Sequence, residues 1–274
     1  MQTNLLIDSL LVKPNTKIHL TKWNPNYLKR LDKEEAEKIL NQNLMNQMSD
    51  LQYKLFADKS QSLLIILQGL SAAGKDSTIR SVMGGFNPQS CKSIPFKAPS
   101  EEELSHDYLW RIHKLIPAKG EITVFNRSHY EDVVEVRVRK LIPQTIWSKR
   151  YKQINEFERY LHENNIKIIK LFLHISKDEQ KRKLEERMRN PLKQWKMTES
   201  DITEPHYYEQ YMKAYEEALW KCSTEWARWY IIPADIKWLR NFAVAQIIVS
   251  TLKSMKLKFP KPKVDISRFT ETKD

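Results

Sequence analysis

Hydrophobic and polar positions fall into two regimes that meet near residue 62. Before it, Ala36, Leu40, Leu44, Met48, Leu51 and Leu55 recur every three or four positions, which predicts an amphipathic helix. Asp32 followed by Glu35 has the spacing of a capping box at its start. The stripe either packs on the main body or forms a subunit contact. The first 30 residues, with Pro14 and Pro25, read as an arm lying over a folded body. After residue 62 the apolar runs become short and continuous: LLIIL at 63–67, EITVF at 121–125, IKIIKLFLHI at 166–175, RWYII at 228–232 and a weaker SIPF at 93–96. Such runs predict strands covered on both faces. Helical patterns lie at 75–83, 101–115, 130–141, 150–164, 206–221 and 237–255. Strands alternating with helices predict an α/β sandwich around a mostly parallel sheet. Between 177 and 203 a dense mixture of charges with one proline breaks the pattern, and this segment reads as an excursion from the sheet.

The first strand runs directly into a glycine pattern. Gly69 and Gly74-Lys75 bracket four residues in the order G-x-x-x-x-G-K, with a predicted helix directly behind. Glycines let the backbone curl so that successive N–H groups point inward, and the following helix adds its positive end. Gly69, Ser71, Ala72, Ala73, Gly74, Lys75, Asp76 and Ser77 are therefore candidate phosphate-binding residues, with the Lys75 ammonium as a point charge. An ordinary strand-to-helix turn is the alternative. Only five glycines serve the chain and four fall between 69 and 85, so backbone freedom is concentrated here. Asp76 stands where a serine or threonine usually holds magnesium, with Ser77 one later; a carboxylate can also hold Mg²⁺.

Polar residues follow the EITVF strand: Asn126, Arg127, Ser128, His129, Tyr130, Glu131 and Asp132. The carboxyl end of a parallel strand is where such sheets bind ligands. Arg127 offers a planar fork for phosphate oxygens, or else a salt bridge to Glu131 or Asp132. His129, His106 and His113 have no partner at metal-ligand spacing and are expected not to be ligands. Further cations are Arg80 on the first helix, Arg137 and Arg139, and, in the excursion, Lys181, Arg182, Arg187, Arg189, Lys193 and Lys196 beside Trp195. Glu179, Glu185 and Glu186 are interleaved, so most of these form a solvated face, while a few could close over phosphates as a lid.

Composition narrows the class. The chain of 274 residues can bury one substantial core, and its formal charge of +12 favours a polyanionic partner. Nucleic acid would need exposed aromatics among basic residues, whereas Trp220, Trp226, Trp229 and Trp238 lie in apolar patterns, so no nucleic acid is expected. No apolar stretch reaches the roughly 18 to 20 residues that span a bilayer. The opening MQTNLLIDSLLVKPN lacks a basic n-region and a cleavage site. Cys91 and Cys222 form no CxxC pair and are expected to be thiols in a reducing, cytoplasmic setting.

Taken together, QGLSAAGKDSTI (68–79), FKAPSEEELSHDYLWR (96–111), GEITVFNRSHYEDV (120–133), FLHISKDEQKRKLEER (172–187) and IIPADIKW (231–238) resemble the polyphosphate kinase 2 family, over most of the chain from about residue 50. The resemblance implies a three-layer α/β/α phosphate-loop kinase fold similar to thymidylate kinase. The arm and helix would span 1–60, the kinase domain 61–258 with a helical lid at 177–203, and a tail 259–274. It implies inorganic polyphosphate as donor, an adenine or guanine nucleotide (ADP, GDP or AMP) as acceptor, Mg²⁺ as cofactor and a homo-oligomer. Lys75, Arg127 and Asn126 would be catalytic, Arg80 would contact polyphosphate, and Arg182, Arg187 and Lys193 would belong to the lid. FNRSHYED looks most like the subgroup accepting both AMP and ADP. Many members carry an aspartate where this chain has Ser71. With Asn126 also neutral, Asp76, Glu131 or Asp132 would take over the metal, or substrate phosphates would hold it, or activity would be weak. An ATP-dependent nucleoside monophosphate kinase is the alternative reading.

Overall fold

The computed structural model describes residues 2–27 and 32–266. The end of the expected tail, 267–274, and residues 1 and 28–31 of the expected arm lie outside the described residues. Helix α1 (Gln2–Leu10) leads to Leu11, which bridges Tyr230 antiparallel, and to Val12, whose N–H donates to Trp229 O at 2.9 Å. Leu6, Leu10, Val12 and Leu20 are buried, so the arm packs into the core of the body.

Asp32 caps α2 (Lys33–Ile39) by accepting the Glu35 N–H at 2.9 Å. A π-helical turn, Leu40–Leu44, joins it to α3 (Met45–Asp58). The predicted stripe is realised on the body of this chain: Ala36, Leu40, Leu44, Met48 and Leu55 are all buried and Leu51 partly so. Strand β1 (Ser62–Gly69) is buried at every position and feeds α4 (Lys75–Met83). Then come β2 (Cys91–Pro95), β3 (Ile122–Asn126), α5 (Glu131–Val138), α6 (Gln144–Glu163), β4 (Ile166–His174), α7 (Lys177–Arg189), α8 (Tyr208–Cys222), β5 (Trp229–Pro233) and α9 (Lys237–Ser254).

All five predicted strands form, and all pair in parallel in the order β2-β3-β1-β4-β5. In the centre, Ile65 of β1 faces Val124 of β3 on one side and Ile169 of β4 on the other. Helix α9 packs with α1 to α4, while α5, α6 and α8 pack with one another, which places a helical layer on each face. Burying each leucine, isoleucine or valine here contributes about 1.5–3 kcal/mol.

Two helix expectations are corrected. The pattern at 101–115 is two single turns, Glu101–Leu104 and Trp110–His113, because Asp107 Oδ1 accepts the Leu109 N–H at 2.9 Å and turns the chain between them. Helix α6 begins six residues before the expected start, set by Pro143 at its N-cap. The first part of the charged excursion is a regular helix, α7, capped by Ser176; Gln180 and Leu184 face inward, and ion pairs such as Arg182–Glu179 and Arg189–Glu185 stripe its outer side.

A buried charge cluster fastens the layers. Lys170 of β4 donates to Glu158 Oε2 (2.6 Å), Tyr130 OH (2.8 Å) and Cys222 O (2.5 Å). Burial pushes the Glu158 carboxyl up, yet Lys170 and His129 together hold it below the usual range. His129 Nε2 lies 3.3 Å from Glu158 Oε1 inside this core. Cys91 and Cys222 are free thiols.

Candidate active site

With β1 central and β3 and β4 on either side, the chain leaves the carboxyl ends of β1 and β3 above the middle of the sheet, where a crevice opens. The loop after β1 has its own backbone requirements. Gly69 (φ 151°) lies against β4, and a Cβ there would come within 2.9 Å of Leu173 O. Gly74 (φ 98°) lies against Arg240, whose Nη1 would be 2.2 Å from an added Cβ. Ala72 (φ 62°) takes the left-handed region despite its side chain. The curl is thus real and ends on the unobstructed start of α4, where Gly74 is the N-cap and no side chain caps the helix.

A cleft of about 420 Å³ opens over this curl. Of the expected residues, Ser71, Ala72, Gly74, Lys75, Asp76, Ser77, Asn126, Arg127, Arg187 and Lys193 line it. Gly69 and Ala73 shape the loop from below. Arg80 and Arg182 are not brought to the cleft: Arg80 is exposed on α4, and Arg182 lies on the outside of α7, bonded through Nε and Nη2 to both oxygens of Glu179. Phe96 lines the cleft at the end of β2. Eight lysine and arginine side chains face it against three carboxylates, Asp76, Glu186 and Asp201.

The Lys75 ammonium donates to Gly69 O at 2.7 Å and Leu70 O at 3.0 Å, which leaves one of its three protons for another acceptor. Burial, and then the neighbouring Arg127, push Lys75 down to about 8, partly opposed by Glu204, Glu131 and Asp76. Arg127 itself has a left-handed backbone (φ 65°) and makes no ion pair among the described residues; the expected alternative, a bridge to Glu131 or Asp132, is absent. Asp132 turns away to Arg150 at 3.0 Å. Glu131, raised by burial against the pull of Arg127, stands behind the arginine rather than in the cleft.

Asn126 and Asp76 form a pair: Asn126 Nδ2 donates to Asp76 Oδ1 at 2.7 Å. No group of three or more His, Cys, Asp or Glu side chains capable of holding a metal occurs among the described residues. Of the three carboxylates lining the cleft, Glu186 and Asp201 are held in ion pairs with Lys193 and Arg187, which leaves the Asp76 carboxylate and the Asn126 amide oxygen beside it as the hard-oxygen donors next to the loop. That small set fits Mg²⁺, which keeps waters and takes one or two carboxylates alongside substrate phosphates.

Four further groups lie outside the residues nominated from the sequence. Glu204 Oε1 accepts the Ser71 N–H at 2.5 Å, and Asp201 Oδ1 accepts the Ser71 hydroxyl at 2.7 Å. Asp201 Oδ2 also pairs with Arg187 at 2.9 Å. Arg240, from the start of α9, donates to Ala73 O and to Ser77 Oγ. Lys237 of α9 faces the same cleft. Lysine and arginine in the first turns of a helix oppose its dipole, and that mismatch was the available signal for the last two.

The chain was compared with known proteins. The model of the family described as polyphosphate kinase 2 (PPK2) matches residues 30–260. An AMP/ADP-polyphosphate phosphotransferase of Meiothermus ruber is 44% identical over 256 residues, covering 92% of this chain and 94% of the relative. An ADP-polyphosphate phosphotransferase of Rhodopseudomonas palustris is 40% identical, covering 89% of each. The crystal structure of polyphosphate kinase 2 from Arthrobacter aurescens TC1 superposes with a TM-score of 0.93 at 37% identity, over 97% of this chain and 95% of that one.

Proposed function

The chain belongs to the polyphosphate kinase 2 family, and we propose that it moves a phosphoryl group between inorganic polyphosphate and ADP or AMP, making the higher nucleotide. The observation that carries this is the phosphate loop at the floor of a cleft walled by eight cations. The relatives named for AMP, ADP and polyphosphate support the same substrates.

In the proposed reaction a terminal phosphate oxygen of the acceptor attacks the end phosphorus of the polyphosphate in line. A new P–O bond forms to the nucleotide, the anhydride bond behind that phosphorus breaks, and a chain one phosphate shorter leaves. The nucleophile is already an anion, so no general base is needed. Catalysis reduces to positioning and to neutralising charge on the transferred group. The loop amides and the remaining Lys75 proton bind that group. Arg127, which makes no ion pair among the described residues, supplies a two-pronged contact from the β3 side. Arg187 and Lys193 close from the lid. One anhydride replaces another, so the reaction runs in both directions. Mg²⁺, held by Asp76, Asn126 and phosphate oxygens, would add charge neutralisation.

The test is a donor exchange. Purified protein is given ADP or AMP with polyphosphate and no ATP, and the product nucleotide is followed by chromatography. ATP from ADP, and ADP from AMP, are expected. Transfer to AMP that requires ATP as donor and ignores polyphosphate would overturn the reading.

A further inference from the structure

A second cavity, of about 270 Å³, shares no lining residue with the cleft. It lies between the arm and the carboxyl ends of β4 and β5, walled by Leu10, Trp23, Ile231 and Pro233. The arm is fastened to the body around it. Val12 N–H donates to Trp229 O at 2.9 Å, Val12 O accepts the Ser223 hydroxyl at 2.6 Å, and Asp235 N–H donates to Pro25 O at 3.4 Å. The space is thus framed by backbone bonds from both parts.

His174, the last residue of β4, lines this cavity and is 5% exposed. Its ring stacks on Phe172, and its Nδ1 is buried without a hydrogen-bond partner. Burial holds the imidazole down at about 4, against the pull of Asp235, so the ring is neutral at physiological pH. Buried polar groups are nearly always paired, and a neutral imidazole offers one donor and one acceptor. Asn24 lines the cavity as well; its Oδ1 accepts the Asn26 N–H at 2.8 Å, which leaves the amide protons for another acceptor. Lys22 is the one cation lining the cavity among the described residues, and no carboxylate does so.

These features select a ligand class. The cleft, with eight cations, suits a polyanion; one lysine does not. An indole face, apolar walls and two neutral hydrogen-bonding side chains suit a flat, uncharged nitrogen heterocycle with about the breadth of an indole. The volume lies just under the roughly 300 Å³ at which drug-sized ligands begin, enough for a bicyclic base with its sugar. We propose that this cavity is a second, non-catalytic site that takes a purine nucleoside, its base stacked on Trp23 and hydrogen-bonded to His174 and Asn24. The site goes beyond the phosphoryl-transfer reading and does not depend on it.

The experiment uses the full chain and adenosine, which has no phosphate for the loop to hold. Photolabelling with 8-azidoadenosine, followed by peptide mass spectrometry, locates the bound base, and calorimetry gives the adenosine Kd for the parent, Trp23→Ala and His174→Phe. Label that excess adenosine displaces is expected on the peptides carrying Trp23 or His174. Loss of stacking in Trp23→Ala should raise Kd about tenfold or more. His174→Phe keeps a ring against Phe172 and removes one hydrogen bond, so Kd should rise about threefold to tenfold. Label confined to cleft peptides such as the one carrying Phe96, a Kd unchanged in both variants, or no adenosine bound to the parent would each overturn the proposal. The parent's label decides the matter even if a variant fails to fold. Neither readout uses polyphosphate, so failure here and failure of the donor exchange are told apart.

Discussion

The Ser71 hydroxyl donates to Asp201 Oδ1 at 2.7 Å, and with it the segment that follows α7 is tied to the loop after β1. Glu204 doubles the tie by accepting the Ser71 N–H, and Asp201 in turn holds Arg187. A serine serves this geometry where a third carboxylate would face two others. Ser71 is therefore the loop residue gripped by both Asp201 and Glu204.

Asp201 is 4% exposed, with partners in Ser71, Arg187 and the Thr198 N–H. Asp201→Ala strands a guanidinium and a hydroxyl and should cost about 2 to 4 kcal/mol of stability. Urea denaturation reads the loss, and limited proteolysis should cut first between 190 and 203. An unchanged midpoint and cutting pattern would contradict the tie.

Gly74→Ala sets a methyl into Arg240 at a positive φ. The strain should cost about 1 to 3 kcal/mol and distort the curl. Thermal unfolding with and without polyphosphate checks both effects: a lower Tm, and loss of the stabilisation that the polymer gives the parent.

Lys75 makes the site pH-dependent. Its ammonium is pushed down to about 8, below the ordinary 10.5, so between those values the unfolded chain binds a proton that the folded chain lacks. This group therefore adds stability to the free protein as pH rises through that window. Polyphosphate selects the charged form, so its affinity should fall about tenfold between about pH 7 and 9. Calorimetric Kd values against pH check this, and a flat profile would contradict it.

Lys170→Met leaves Glu158 buried without its main counter-charge. The expected loss is about 3 to 5 kcal/mol. Glu158 is held low in the folded state, so in the parent its contribution is present above the ordinary carboxylate pKa and lost as pH falls through the lowered value. Denaturation midpoints of parent and variant should accordingly converge under acid.

The sheet was legible because β1, β3, β4 and β5 are buried almost throughout and so read as unbroken apolar runs, while the half-exposed edge strand β2 left only the weaker SIPF. The loop was legible because glycine, lysine and strand lie next to one another in sequence. Asp201, Glu204 and Arg240 were not, since they reach the loop from 130 to 167 residues away and no local pattern carries such a contact. Arg80 and Arg182 were nominated by their place in a helical pattern and by the family resemblance, neither of which says which way a side chain points. A helix has an outer face, and both side chains lie on it.

Lys75→Met tests the central claim most directly. If the curl from Gly69 to Ser77 holds the transferred phosphoryl group, removing its ammonium should lower kcat for ATP formation from ADP and polyphosphate by about 10²- to 10³-fold, corresponding to about 3 to 4 kcal/mol, with the fold intact by circular dichroism. A variant that turns over at the parent rate would place the chemistry somewhere else.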